Sequence, residues 1–302
     1  MRALFVLTPP ESKRFIAKAV AQLPEVKTAK DDGEIVIGHG STNVRVVQEI
    51  LGDCPQPDRF LSGLVTNGVL CVTQPEEKPP MIVFRKGKLY PPDLTMEETL
   101  KNFDAGSVFI KGANAVDPEG NAGVYVAHPS AGTIGYAYNI LSARGCPLIV
   151  PVGLEKLVSS VKKAGQHVGQ NTFYYCMGVK IGMIPLVNAR VITEVEAFRI
   201  LFDLDAIHVG GGGVNGSEGS VTLVAEGEKK ALDQAIKLIE SIKGEPPLRP
   251  KKSLCLNCLP TAASTPKSPD EQFAEKKKKY CMFQGRKEDE LPDFFQQRGS
   301  SD

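Results

Sequence analysis

The chain has 302 residues, 42% of them hydrophobic, which suits one large buried core or a core with a satellite. Lysine plus arginine (36) nearly balances aspartate plus glutamate (35), so no overall field argues for nucleic acid or an acidic membrane as an obligatory partner. The first apolar run, Ala3 to Leu7, is too short for a signal-peptide core, and no later run approaches the roughly 20 apolar residues of a membrane helix, so a cytoplasmic protein with a small-molecule partner is expected.

In chain order, "RALFVLT" reads as a buried strand. "PPESKRFIAKAVAQL" follows as a helix, with Phe15, Ile16, Val20 and Leu23 at helical spacing. "EIVIG" and "NVRVVQEIL" make a second strand–helix unit. The β-branched runs "SGLVTNGVLCVTQ" and "MIVFRKGKLY" predict strands, the latter turning at Lys86-Gly87. "MEETLKNF" predicts a short helix and "SVFIKG" a strand. After a Gly- and Asn-rich loop, "AGTIGYAYNILSARG" predicts a helix ending at Gly145, and "CPLIVPVG" a strand. This alternation argues for a largely parallel sheet covered on both faces.

From Asn188 the texture changes to strand–helix, strand, strand and helix, the order of a small α+β layer. After Lys243 the chain turns Pro-, Lys- and Ser-rich with little periodic apolar content, which predicts a mobile tail. The expected division is therefore a core domain over 1–187, a small lid domain over 188–245 and a flexible tail over 246–302.

Between the second strand and its helix lies "GHGST". Gly38 and Gly40 permit close backbone approach, and Ser41 and Thr42 offer hydroxyls where helix N–H groups have no acceptor, a reasonable anion cradle. The same residues also suit a plain tight turn with a helix cap.

The segment "FIKGANAVDPEGNAGVYVAHPSAGTIGYAYNILSARGCPLIVPVGLEKLV" resembles the matching part of ribose-5-phosphate isomerase type A. There a "DGADEVD"-like loop leads to a glycine-rich turn, a helix, a strand and "D-x-S-K-x-V". "GHGST" resembles that family's phosphate-holding "G-x-G-S-T", and "MIPLVNARVITEVEAF" is similar to the "LPVEV" entry into its lid. The resemblance spans roughly residues 33 to 225, in order. It implies a three-layer, Rossmann-like, mainly parallel α/β sheet with a small α+β, ferredoxin-like lid and a disordered C-terminal tail. The wider group includes glucosamine-phosphate deaminases, CoA transferases and sugar-sensing repressor domains. Where the isomerases carry loop aspartates this chain has Lys111 and Asn114, with only Asp117 kept. Ala122 to Ile140 holds neither Lys nor Glu, so ribose-5-phosphate isomerisation itself is not expected.

The expectation is an anionic small-molecule ligand, a sugar phosphate, nucleotide or CoA ester, held by Gly38, His39, Gly40, Ser41, Thr42, Lys111, Gly112 and Asn114. Asp117 and His128 are the candidate catalytic groups. A non-catalytic sensor or interaction module on the same fold is the alternative. Glu218, in "GGGGVNGSEGS", stands where a CoA-transferase nucleophile could, although its setting reads as a hairpin. No dinucleotide fingerprint follows the first strand, so the sequence names no cofactor, and a homo-oligomer stays open. In the tail, Cys255-x-x-Cys258 with Cys281 resembles part of a thiolate metal knuckle that lacks its fourth ligand there, and a disordered thiol pair is the alternative.

Overall fold

The computed structural model describes residues 1–73, 77–90, 94–250, 255–258 and 281–293. In chain order these form β1 (Arg2–Leu7), α1 (Pro9–Gln22), α2 (Pro24–Asp31), β2 (Glu34–Ile37), α3 (Ser41–Leu51), β3 (Gly63–Thr66) and β4 (Val69–Val72). Next come β5 (Ile82–Arg85), β6 (Lys88–Leu89), α4 (Met96–Leu100), β7 (Val108–Ile110), β8 (Ala115–Val116), β9 (Ala122–Val126), α5 (Gly132–Arg144) and β10 (Leu148–Pro151). The last are α6 (Val161–Gln166), β11 (Gly182–Leu186), β12 (Arg190–Ile192), α7 (Glu194–Phe202), β13 (Asp205–Gly212), β14 (Ser220–Glu226) and α8 (Lys229–Ile242).

The central sheet has six strands in the order β12-β10-β7-β2-β5-β6. β12, β10, β7 and β2 run parallel, while β5 and β6 extend the sheet antiparallel. The sheet is therefore mixed, with a parallel heart. Side chains alternate across its faces, as the period of two requires. Ile35, Ile37, Val108, Ile110 and Ile149 join a core with α1, α3, α7 and α8, whereas Val36, Phe109, Leu148 and Val150 join another with α5 and β9. Continuous apolar runs such as "EIVI" mark strands buried on both faces.

Local chemistry explains the turns. Asn67 and Gly68, and likewise Lys86 and Gly87, all take positive φ between 44° and 76°, which makes tight two-residue hairpins of β3–β4 and β5–β6. Gly145 closes α5 in the left-handed conformation.

Two expectations are corrected. β1 does not join the parallel sheet; it pairs antiparallel with β14 in a separate sheet of order β1-β14-β13. Its neighbour α1 still packs into the main core through Phe15, Ile16 and Val20. The second concerns only the part of the tail that is described: residues 255–258 and 281–293 pack against the β3–β4 hairpin, where Cys255, Cys281, Phe283 and Leu291 share a buried cluster with Val69 and Val179. The rest of the expected mobile segment lies mostly outside the described residues, and its expected mobility stays open. Among those residues no helix is long and apolar enough to cross a membrane.

Candidate functional site

Because β2, β7, β10 and β12 are parallel, the segments leaving them meet along one edge of the sheet, where open α/β sheets receive ligands. β2 delivers the glycine loop. The Gly38 N–H donates to Ile110 O (2.9 Å) and the Gly40 N–H to Phe60 O (3.1 Å), which fixes the loop's path. Gly40 caps α3 without a side chain, and the N–H groups of Ser41, Thr42 and Asn43 find no acceptor among the described residues. An uncapped N-terminus carries partial positive charge. Asn43, fully buried, donates to Gly38 O (2.7 Å) and Ile110 O (3.4 Å), leaving its Oδ1 without a partner. A Cβ on Gly38 would lie 3.1 Å from Lys111 Cδ, whereas one on Gly112 would meet Asn43 Oδ1 at an ordinary 3.9 Å.

Three lysines face this loop. The Lys111 ammonium donates to His39 O (3.4 Å), Lys156 to Ala113 O (3.0 Å) and Lys78 to Ser62 Oγ (3.4 Å). Lys111 has no carboxylate partner within ion-pair distance among the described residues. Burial, then the charges of Lys156 and Lys78, brings the Lys111 ammonium down to about 8. Burial also lowers Lys156, against the pull of Glu155, and lowers Lys78. Glu155 balances part of this charge at Lys156, whereas no described carboxylate stands within ion-pair distance of Lys111.

Beside it, β10 and β12 deliver two carboxylates. Glu194 is fully buried, and only its Oε2 is hydrogen-bonded, by the Leu154 N–H at 2.9 Å. Its Oε1 and both oxygens of Glu155 are buried without a hydrogen-bond donor, although Lys13 and Lys156 stand 3.5 and 3.9 Å from Glu155. Burial, then the neighbouring Glu155, pushes Glu194 up to about 7. A side chain on Gly153 would overlap the Glu155 carboxylate and come within 3.1 Å of Glu194 Oε1, so the pair needs glycine there. Gly219, at the foot of the β13–β14 hairpin, lies close enough that a Cβ there would sit 3.8 Å from Glu155 Cβ.

The structure treats the predicted residues unequally. Gly38, Gly40, Ser41, Thr42, Lys111 and Gly112 gather at this edge. His39 shares the loop, yet its Nε2 is bound to Pro79 O at 2.6 Å and its ring rests on Phe60. Burial takes its basicity down to about 3, so it stays neutral at physiological pH. Asn114 is turned to hold its own hairpin, its Oδ1 accepting from the Tyr125 N–H at 3.0 Å. Asp117 is buried as a turn acceptor for the N–H groups of Glu119, Asn121 and Val161 and for the Asn121 amide. Burial alone would raise its pKa, but these bonds win and lower it. A carboxylate so fully engaged is a poor proton acceptor. His128 lies after β9 in the β11-β9-β8 sheet, its Nδ1 accepting from the Ser130 N–H at 3.1 Å. Glu218 sits exposed in the β13–β14 hairpin, bound to the Gly216 N–H at 2.9 Å.

Sequence reasoning missed Lys78, Asn43, Glu155, Lys156 and Glu194. Glu155 and Lys156 were within reach, because "GLEKLV" directly follows the apolar run of β10, at the end of a parallel strand. Of the cysteines, Cys255 and Cys281 are buried, Cys258 half-buried, and all are free of disulfides. Among the described residues no group of three or more His, Cys, Asp or Glu side chains stands in a geometry that could hold a metal ion.

Compared with protein-family models, curated proteins and solved structures, the chain matches none of them.

Proposed function

We propose that the carboxyl edge of the parallel strands binds a phosphorylated or otherwise anionic small molecule, a sugar phosphate, nucleotide or CoA ester. The observation that carries this reading is Lys111, a half-buried ammonium beside Lys156 and Lys78 with no carboxylate within ion-pair distance among the described residues. Partly desolvated, unpaired charge is costly, so an anion is the missing partner. The free N–H groups at the start of α3 point to the same ligand class. The glycine-loop resemblance to ribose-5-phosphate isomerase favours a sugar phosphate, on a three-layer Rossmann-like core with a lid. In this reading Gly38, Gly40, Ser41 and Thr42 take the phosphate, and Lys111 and Lys156 neutralise it.

Glu194 and Glu155 favour chemistry over simple sensing. A carboxyl that titrates near neutrality beside the ligand edge can both take and return a proton, which Asp117 cannot. An isomerase-like or transferase-like reaction with relocated acid–base groups fits this arrangement.

Calorimetric titration with inorganic phosphate, ribose 5-phosphate, AMP and CoA tests the reading on the native chain, on Lys111→Met and on Ser41→Ala/Thr42→Ala. Binding by at least one ligand that both variants weaken is expected. Equal affinity in all three proteins would overturn it.

A further inference from the structure

We propose that Cys71, Cys255, Cys258 and Cys281 together form a tetrathiolate site for a single zinc-type divalent cation, with Cys71 supplying the fourth ligand from the folded core.

The backbone brings these residues to one corner. β4 carries Cys71 between Leu70 and Val72. The Leu70 N–H donates to Met177 O (2.9 Å), and the Val179 N–H donates back to Leu70 O (3.0 Å). Val179 in turn forms an antiparallel bridge with Cys281, and the Met282 N–H reaches Gly178 O at 3.3 Å. Gly178, at φ +104°, allows the approach, since any side chain there would collide with the Leu70 carbonyl. Cys255 opens a tight 3-10 turn in which the Cys258 N–H donates to Cys255 O (3.3 Å). The Gly285 N–H ties the same carbonyl to the Cys281 segment at 2.8 Å. The Cys258, Cys255 and Cys71 sulfurs all lie within electrostatic reach of Cys281.

Two further observations favour a cation. Two cysteines separated by two residues on a tight turn are suited to share one tetrahedral ion. Among the described residues the buried cluster here has six members, Val69, Val179, Cys255, Cys281, Phe283 and Leu291, a small core for two segments whose described residues form only short 3-10 turns. Small units of this kind are held by disulfides or metals, and these thiols form no disulfide. As they stand the sulfurs are not closed around a point. The cation closes them: four thiols release four protons to solvent, four metal–sulfur bonds form, and no electron is transferred.

Cys176 supplies an internal control. It lies two residues before Gly178, and its thiol donates to the Gly178 carbonyl at 3.1 Å, against 3.8 Å from the Cys71 thiol to Val72 O. The full chain is purified under reducing conditions, loaded with Zn²⁺, dialysed and assayed for zinc, iron and sulfide. The same is done for Cys71→Ser, Cys71→His and Cys176→Ser, with circular dichroism to verify folding. Expected are one zinc per chain in the native protein, in Cys176→Ser and in Cys71→His, and loss of zinc from folded Cys71→Ser. The Co²⁺ form of the native chain should show the thiolate charge-transfer absorption of a tetrahedral sulfur site, a readout independent of any variant's folding. No retained metal, full zinc in Cys71→Ser, a cobalt spectrum without thiolate bands, or a cluster of several irons with sulfide would each overturn the assignment.

Discussion

The turn around Asp117 and the corner around Glu194 are both buried, both acidic and both next to the central sheet, yet they behave in opposite ways. Asp117 accepts from three backbone N–H groups and a side-chain amide, and its acidity is strengthened. Glu194 accepts one, faces Glu155, and is pushed up to about 7. Burial is common to both; the supply of donors differs. A buried carboxylate with its donors in place is architecture, and one left short of them is reactive. By the same criterion Lys111, poorly paired, belongs with Glu194, and Asn114, held in its hairpin, belongs with Asp117.

Substitution is the sharpest way to break this contrast. Asp117→Ala orphans the Val161, Asn121 and Glu119 N–H groups and should cost about 3 kcal/mol of stability, read by chemical denaturation. Glu194→Gln should stabilise the protein above pH 7, because it removes a charge that the buried corner disfavours. If both variants lose stability equally, donor supply does not distinguish the two regions.

Lys111→Met should lower affinity for inorganic phosphate by about 10- to 100-fold, the worth of a charge-assisted contact. It should also raise the unliganded melting temperature near neutral pH, since the charged lysine is penalised until pH rises through about 8. Loss of binding with gain of stability marks a ligand group; loss of both would make Lys111 structural.

The pH dependence separates the regions again. Asp117, lowered in the fold, contributes stability that is lost only as pH falls through its native value below 3.8. Glu194 runs the other way: its contribution is complete below 4.5 and disappears as pH rises through about 7. A stability decline between those values should be present in the native chain and absent from Glu194→Gln. The smallest effect concerns the glycines. Gly38→Ala presses on Lys111 and should weaken phosphate binding several-fold, whereas Gly112→Ala, with 3.9 Å to its nearest neighbour, should change it little.

Much of this was legible in the residues. The apolar runs of β2, β7 and β10, the Asn67-Gly68 and Lys86-Gly87 turns and the glycine loop before α3 follow from periodicity and turn chemistry. Partners were not legible. Nothing in "RALFVL" says that it pairs with residues 221–226, because alternation reveals which face is buried and not which strand lies alongside. Asp117 and Glu194 both stand within two residues of the end of a strand; the long-range donors to each, the Val161 and Leu154 N–H groups, are distant in sequence. Cys71 reads as an ordinary strand residue until β4 is seen beside residues 177–179.

The pairing of β1 with β14 also sets a schedule for synthesis. Arg2 meets Glu226 across 224 residues of chain. At ribosomal speeds of roughly 5–20 residues per second, the first strand emerges about 10 to 45 s before its partner exists. During that interval Phe5 and Leu7, buried in the finished protein, have no strand to cover them. The nascent chain therefore carries an unpaired strand for the whole of that interval, a natural place for a ribosome-associated chaperone to hold.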